Sequence, residues 1–254
     1  MKIQQVAAQL YTVREQCQTA EGLLTTCKKI HDIGYTSVQV SGIGGSIPFE
    51  QVKAVMDECS LSICCTHTPF DRITEHPDEV AAQHRLYGTT EVGLGCMPGE
   101  YWGSYEGQLT FAKKMVEAAK VLKGYGMDLA YHNHRFEFTR FPEGVPFNAM
   151  MDLFMENGVN LILDLFWVQA GGASPEDYIR RAAGHLNVVH FKDMTVIDNK
   201  DAMAEVGEGN MNWPAIIRAC DEAGVKWAAV EQDTCRRDPV ESLAISYRNL
   251  KAMM

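Results

Sequence analysis

Six residues of types able to hold a metal ion or to move a proton stand at or beside the ends of short apolar runs: His132, His134, Asp164, His190, Lys192 and Glu231. Asp164 closes the apolar run LILD and Glu231 closes WAAVE, so each is a carboxylate at the wet end of a dry segment. A cluster of carboxylates withdrawn from water needs a counter-charge, and a divalent ion supplies one. Two imidazoles and two carboxylates make a mixed donor set that suits Mn, Co, Fe, Ni or Zn better than Ca or Mg. His132, Asp164, His190 and Glu231 are therefore read as the ligands of one divalent metal ion.

For these residues to meet, the chain must carry them to one place. Short apolar runs alternate with amphipathic helical stretches from end to end, the pattern of βα repetition. Eight strands are predicted, at Gln5–Tyr11, Ser37–Ser41, Ser62–His67, Glu91–Cys96, Asp128–His134, Asn160–Leu165, Asn187–Lys192 and Lys226–Gln232. Gly34, Gly88, Gly126, Gly158, Gly184 and Gly224 each fall at a predicted helix end just before a strand, where glycine closes a helix in the left-handed conformation. Helical crossovers make the strands parallel. Eight parallel strands in 254 residues match a single (β/α)8 TIM barrel of class α/β, with one domain over residues 1–254. An open doubly wound sheet would carry a glycine-rich phosphate loop after its first strand, and QLYTVREQCQ has none; Gly42–Ser46 reads as an ordinary βα loop.

Barrel active sites lie at the carboxyl ends of the strands. That rim collects His67, His132, His134, Asp164, His190, Lys192 and Glu231. Alternation puts His132 and His134 on one side of their strand, and His190 and Lys192 on one side of theirs. His31, His76, His84 and His185 fall on helices or helix ends and are expected to be solvated. The eight cysteines form no CxxC pair and are expected to be free, mostly buried thiols.

Thirty-three acidic against 23 basic residues give a net charge of −10, which argues against nucleic acid or an anionic membrane as partner. No apolar run approaches a bilayer span and the start MKIQQVAAQLYTV does not read as a signal peptide, so a cytoplasmic protein is expected. A homo-oligomer is open, since no helix shows a clear apolar excess.

The stretches AQLYTVRE, IGYTSVQVSG, AYHNHRFEF, LILDLFWVQAGG, VVHFKDM, EVGEGNMNWPAII and AAVEQD together resemble the xylose isomerase-like barrel superfamily, which groups sugar (phosphate) isomerases and epimerases, inosose dehydratases and a class of DNA-repair endonucleases. The resemblance implies a Glu, Asp, His, Glu ligand set at the ends of strands five to eight, falling here on Asp164, His190 and Glu231. The first position departs: His132-Asn133-His134 stands where relatives often carry Glu-Asn-His. Epimerases of the family pass a proton between two glutamates, so this departure leaves one-base isomerisation or β-elimination more open.

The expected reaction is a metal-dependent sugar isomerisation or epimerisation through an enediolate, with a lyase or dehydratase acting on a keto-polyol or 3-keto-glycoside as the alternative. A non-catalytic sugar-binding barrel is the reading from a different class. Glu231 is the expected base with His134 as its substitute, and Lys192 is expected to steady oxyanion charge or to hold a phosphate. His67, Arg135, Glu137, Trp102 and Trp167 are expected to bind the small-molecule sugar, with the loop CMPGEYWGSYEG as a lid.

Overall fold

Left-handed glycines mark the chain's turns into its strands: Gly34, Gly88, Gly126, Gly158, Gly184 and Gly224 all have positive φ, as their positions at helix ends require. In the computed structural model, which describes residues 1–254, eight short strands follow such turns or the equivalent loops. They are β1 (Val6–Gln9), β2 (Ser37–Val40), β3 (Ser62–His67), β4 (Glu91–Leu94), β5 (Asp128–His132), β6 (Asn160–Asp164), β7 (Val188–Phe191) and, after a hairpin, β10 (Trp227–Val230). All pair in parallel and close into a barrel in which β10 lies between β7 and β1.

The helices wrap this barrel: α1 (Ala20–Ile33), α2 (Phe49–Glu58), α3 (Phe70–Glu75), α4 (Pro77–Tyr87), α5 (Tyr105–Gly124), α6 (Pro146–Glu156), α7 (Leu165–Ala170), α8 (Pro175–Arg181), α9 (Trp213–Ala223) and α10 (Pro239–Met253). Their apolar faces and the outward side chains of the strands form the main core, with Leu23, Ile30, Phe111, Phe147, Phe154 and Phe191 fully buried in it. No helix is long and apolar enough to cross a membrane.

A second, smaller core fills the barrel itself. It consists of Ala7, Cys64, Cys65, Ala130, Ile162, Val188 and Ala229. Two residues on from six of these, on the same inward face, stand Gln9, His67, His132, Asp164, His190 and Glu231. An apolar floor thus carries a polar layer directly above it, at the carboxyl ends of the strands. Another step of two reaches Tyr11, His134, Lys192 and Asp233, which stand a layer higher.

The strand forecast holds in number and place, with ends trimmed by one or two residues. One element was not foreseen: an antiparallel hairpin of β8 (Asp193–Ile197) and β9 (Lys200–Ala204), placed between β7 and α9. His84 also departs from expectation, being fully buried, with Nδ1 on the Val80 carbonyl at 2.7 Å and Nε2 on Thr66 Oγ1 at 2.8 Å. All eight cysteines are free, Cys96 alone being exposed and Cys235 half-buried.

Candidate metal centre and its cavity

Register brings the polar layer together. Asp164 and His190 are direct partners across β6 and β7, and His190 pairs with Ala229, two residues before Glu231. One donor atom from each of His132, Asp164, His190 and Glu231 lies within 4.8 Å of the others, and all four residues are buried. His132 sets Nδ1 3.0 Å from the Gly95 carbonyl and Nε2 3.3 Å from Asp164 Oδ2, and although burial lowers its ring, Asp164 and Glu231 outweigh that and raise it above its ordinary value. His190 places Nε2 against Gln39 Oε1 at 2.7 Å and turns Nδ1 to Glu231 Oε2 at 2.9 Å. Each imidazole is held from behind by a carbonyl oxygen and presents its other nitrogen to a carboxylate, the arrangement that outer-shell partners impose on metal-binding histidines. An imidazole nitrogen facing a carboxylate oxygen is bridged by a proton or, once that proton leaves, by a metal cation bound to both.

The charge count agrees. Lys192 Nζ lies 2.8 Å from Asp164 Oδ2, 2.8 Å from Glu231 Oε2 and 2.9 Å from Asp233 Oδ2, with no exposed side-chain surface. Three carboxylates against one ammonium leave two negative charges, which one divalent ion neutralises. The residues present therefore fit such an ion in donor type, mutual distance and charge. Burial pushes the Asp164 carboxyl up, but the Lys192 ammonium and His132 outweigh it and hold the group down at about 2. Glu231 is likewise driven well below the carboxylate range, by Lys192 and His190 against burial. The same carboxylates, against burial, raise Lys192 above its ordinary value.

Above the centre opens a cavity of about 500 Å³ lined by Tyr11, Ser41, His67, His134, Glu231 and Asp233, among others. His67 takes Ser41 Oγ at Nδ1 (3.1 Å), and its Nε2 is buried without a partner. His134 has a buried, unpartnered Nδ1. Burial and the neighbouring histidines lower both rings, His134 to about 3, so both are neutral at pH 7. Two neutral imidazoles with open nitrogens are hydrogen-bond partners for hydroxyl or carbonyl oxygens.

Other expected site residues take different places. Glu137 is fully buried beneath the loop after β5, where Oε1 accepts from Tyr131 Oη at 2.5 Å and Oε2 from the His134 backbone N–H at 2.9 Å. With both oxygens taken it positions His134 and does not face the cavity. Lys192 has its three N–H bonds committed to carboxylates, so it is closed to substrate oxyanions and phosphate. Arg135 is largely exposed, bound to the Ala170 carbonyl and paired with Asp201 of the hairpin. Trp102, at the rim, stacks on Phe136 with centroids 4.2 Å apart and donates to the Met97 carbonyl. Trp167 stands 6.0 Å from the His134 ring and under the Lys192 ammonium. Gln9 and Gln39 were not singled out from sequence, and Asp233 was placed on the rim at the end of the last strand without a role. Gln9 holds Glu231 Oε1 at 2.9 Å, and the same period of two that placed the ligands points to all three.

Comparison with known proteins bears on this geometry. Residues 27–252 match the sequence model of the xylose isomerase-like TIM barrel family. The chain belongs to that family. It is 23% identical to the rhizopine catabolism protein MocC of Rhizobium meliloti, over 89% of this chain and 79% of that protein. Among solved structures, a sugar phosphate isomerase/epimerase from Parabacteroides distasonis superposes with a TM-score of 0.78 at 21% identity, covering 98% of this chain and 94% of that one. The probable 3-DHS dehydratase AsbF of Bacillus anthracis superposes with a TM-score of 0.76 at 13% identity, covering 98% of both chains. At such identities the structures share the fold. Family membership and the four-donor cluster together support metal-dependent enzyme chemistry of the isomerase, epimerase and lyase kind.

Proposed function

We propose that this protein is a divalent-metal-dependent isomerase or epimerase of a ketose-like sugar, working through an enediolate. The observation that carries the reading is the buried His132, Asp164, His190 and Glu231 cluster at the floor of a cavity with open imidazole nitrogens. A divalent ion bound there supplies positive charge against a developing enediolate oxygen. Glu231 is the ligand carboxylate that lines the cavity, and it takes the proton from the carbon beside the carbonyl. Gln9, Lys192 and His190 fix both of its oxygens in place. His134 and His67 hydrogen-bond the sugar hydroxyls through their open nitrogens and keep them oriented. The buried floor excludes water from below.

One observation favours the lyase alternative as a second reading. His132, with Nδ1 on the Gly95 carbonyl and Nε2 toward Asp164, stands where family members often carry the first glutamate, so the site offers no second carboxylate opposite Glu231. Proton exchange between two opposed carboxylates is then closed, while removal of one proton followed by loss of a β-substituent stays open.

The test is metal analysis of the purified protein, then incubation of the metal-loaded form with ketoses, keto-glycosides and inososes in deuterated water. Deuterium entering beside a carbonyl is the expected result, and retention or loss of a leaving group separates isomerase from lyase. Glu231→Gln and Asp164→Asn are expected to lose turnover and most of the bound metal while keeping the native circular dichroism. Full activity in either variant would remove the proposed site.

A further inference from the structure

A (β/α)8 barrel that binds a phosphorylated substrate commonly holds the phosphate at loops after its seventh and eighth strands, on backbone N–H groups at a helix N-terminus. In this protein both places are taken by its own carboxylates. Asp193, directly after β7 and Lys192, is fully buried and gathers the loop leading into α9. Its Oδ2 accepts from Gly207 N (2.9 Å), Gly209 N (3.1 Å) and Trp213 Nε1 (2.6 Å), and its Oδ1 from Met194 N (2.7 Å) and Met211 N (3.2 Å). Five donors around one carboxylate make an anion nest that is already filled. Gly209 permits this closeness, since a Cβ there would run into Asp193. After the eighth barrel strand, Asp238 caps α10 by accepting from Val240 N and Glu241 N.

The cavity wall carries no replacement. Its fourteen lining residues include the carboxylates Glu231 and Asp233 but neither arginine nor lysine. Lys192, just below, spends all three N–H bonds on carboxylates. Arg14 lies over the Tyr11 ring at 4.2 Å, donates to the Tyr11 carbonyl at 2.8 Å and opens onto a neighbouring cavity. The remaining wall is neutral and partly apolar, with Phe70, Leu94 and Pro98 facing Ser41, Thr68 and the two open imidazoles.

We infer that the site takes an uncharged polyhydroxylated ketone and rejects its phosphate ester. This rests on the metal-enediolate reading for the identity of the reacting group, but the charge argument stands on the cavity wall and the two filled nests. A phosphate dianion entering beside Asp233 would lose its hydration with no arginine or lysine on the wall to offset it, since the divalent ion and Lys192 do no more than balance the centre's own carboxylates.

The experiment is calorimetric titration of the metal-loaded protein with matched pairs, D-fructose against D-fructose 6-phosphate and D-ribulose against D-ribulose 5-phosphate, with inorganic phosphate alone as a further probe. The neutral sugar of a pair is expected to bind at least about tenfold more tightly than its ester, a difference of about 1.4 kcal/mol. Cys96→Lys puts an ammonium on the wall at an exposed position outside the ligand set. That variant is expected to gain at least about tenfold in affinity for the esters, with the gain falling as salt is added. Esters bound by the wild type as tightly as their parent sugars would overturn the inference, as would binding of no neutral ketose up to its solubility. If the neutral sugars bind but no deuterium enters them, the enediolate reading fails and the charge selectivity stands.

Discussion

Lys192 sets the charge of the centre and Glu137 holds the backbone that carries His134, and neither side chain lines the cavity. Lys192 is a permanent cation inside the barrel, so Asp164 and Glu231 stay ionised in spite of burial, while burial still raises Asp233. Glu137 works in the opposite sense, because burial raises its carboxyl from an ordinary 4.5 to about 7. The folded state therefore binds that proton more tightly than the unfolded chain does, and the stability it lends is full below pH 4.5 and lost as pH rises through 7. With full burial the linkage is about 3 kcal/mol. Glu91, at the amino-terminal end of β4, is raised to about 7 by burial and by Asp128, and it acts in the same direction. Glu137→Gln keeps an acceptor for the His134 N–H and gives Tyr131 Oη a donor. Its denaturation free energy is expected to fall by about 3 kcal/mol less than the wild type's between pH 4.5 and pH 8. Urea unfolding at several pH values checks this, and equal slopes for both proteins would show that Glu137 stays ionised in the fold.

The strand is the unit that turns this sequence into a site. Each inward position above the apolar floor is reached by a step of two from Ala7, Cys65, Ala130, Ile162, Val188 or Ala229, which is why the ligands were legible in the sequence once the eight strands were. Tertiary pairings were not legible. Nothing in HNHRFEF distinguishes a glutamate facing substrate from one turned under its own loop, and nothing in VVHFKD shows that Lys192 is spent on three carboxylates from three segments. The hairpin of β8 and β9 was missed because DMTVIDNKDAMA has few strongly apolar residues and follows a buried strand without a break. His84 was misplaced because its partner, Thr66, is distant in sequence. Gly95 shows what an element end can require. Its carbonyl lies 3.0 Å from His132 Nδ1 and orients that ring, and a Cβ there would approach His67 Nδ1 to 2.7 Å. Gly95→Ala is expected to displace His67 and loosen His132 together, lowering metal affinity by about tenfold, or 1.4 kcal/mol. Equilibrium dialysis against buffered metal checks it, with unchanged affinity contradicting the coupling.

A closed barrel makes metal occupancy a property of the whole fold. The ligands come from the ends of four strands that are neighbours around the barrel, β5, β6, β7 and β10, so an ion held between them ties residues 132 to 231 together. The unfolded chain cannot assemble these donors, and any ion bound by the native state alone stabilises that state by mass action. At a free metal concentration about a hundredfold above Kd the gain is about 2.7 kcal/mol. For a chain of this size each kcal/mol moves Tm by about 2–4 °C. Stripping the protein with a chelator is therefore expected to lower Tm by about 5–10 °C without unfolding it at room temperature, because Lys192 still neutralises part of the carboxylate charge. Asp164→Asn removes one ligand and also one of the two excess negative charges. Its Tm is expected to respond little to chelator or to added metal, even where the fold itself is intact. Scanning calorimetry with and without metal distinguishes the outcomes: a wild-type Tm indifferent to every divalent transition metal would mean that Lys192 and protonated histidines alone neutralise the centre, and metal-dependent turnover would fall with it.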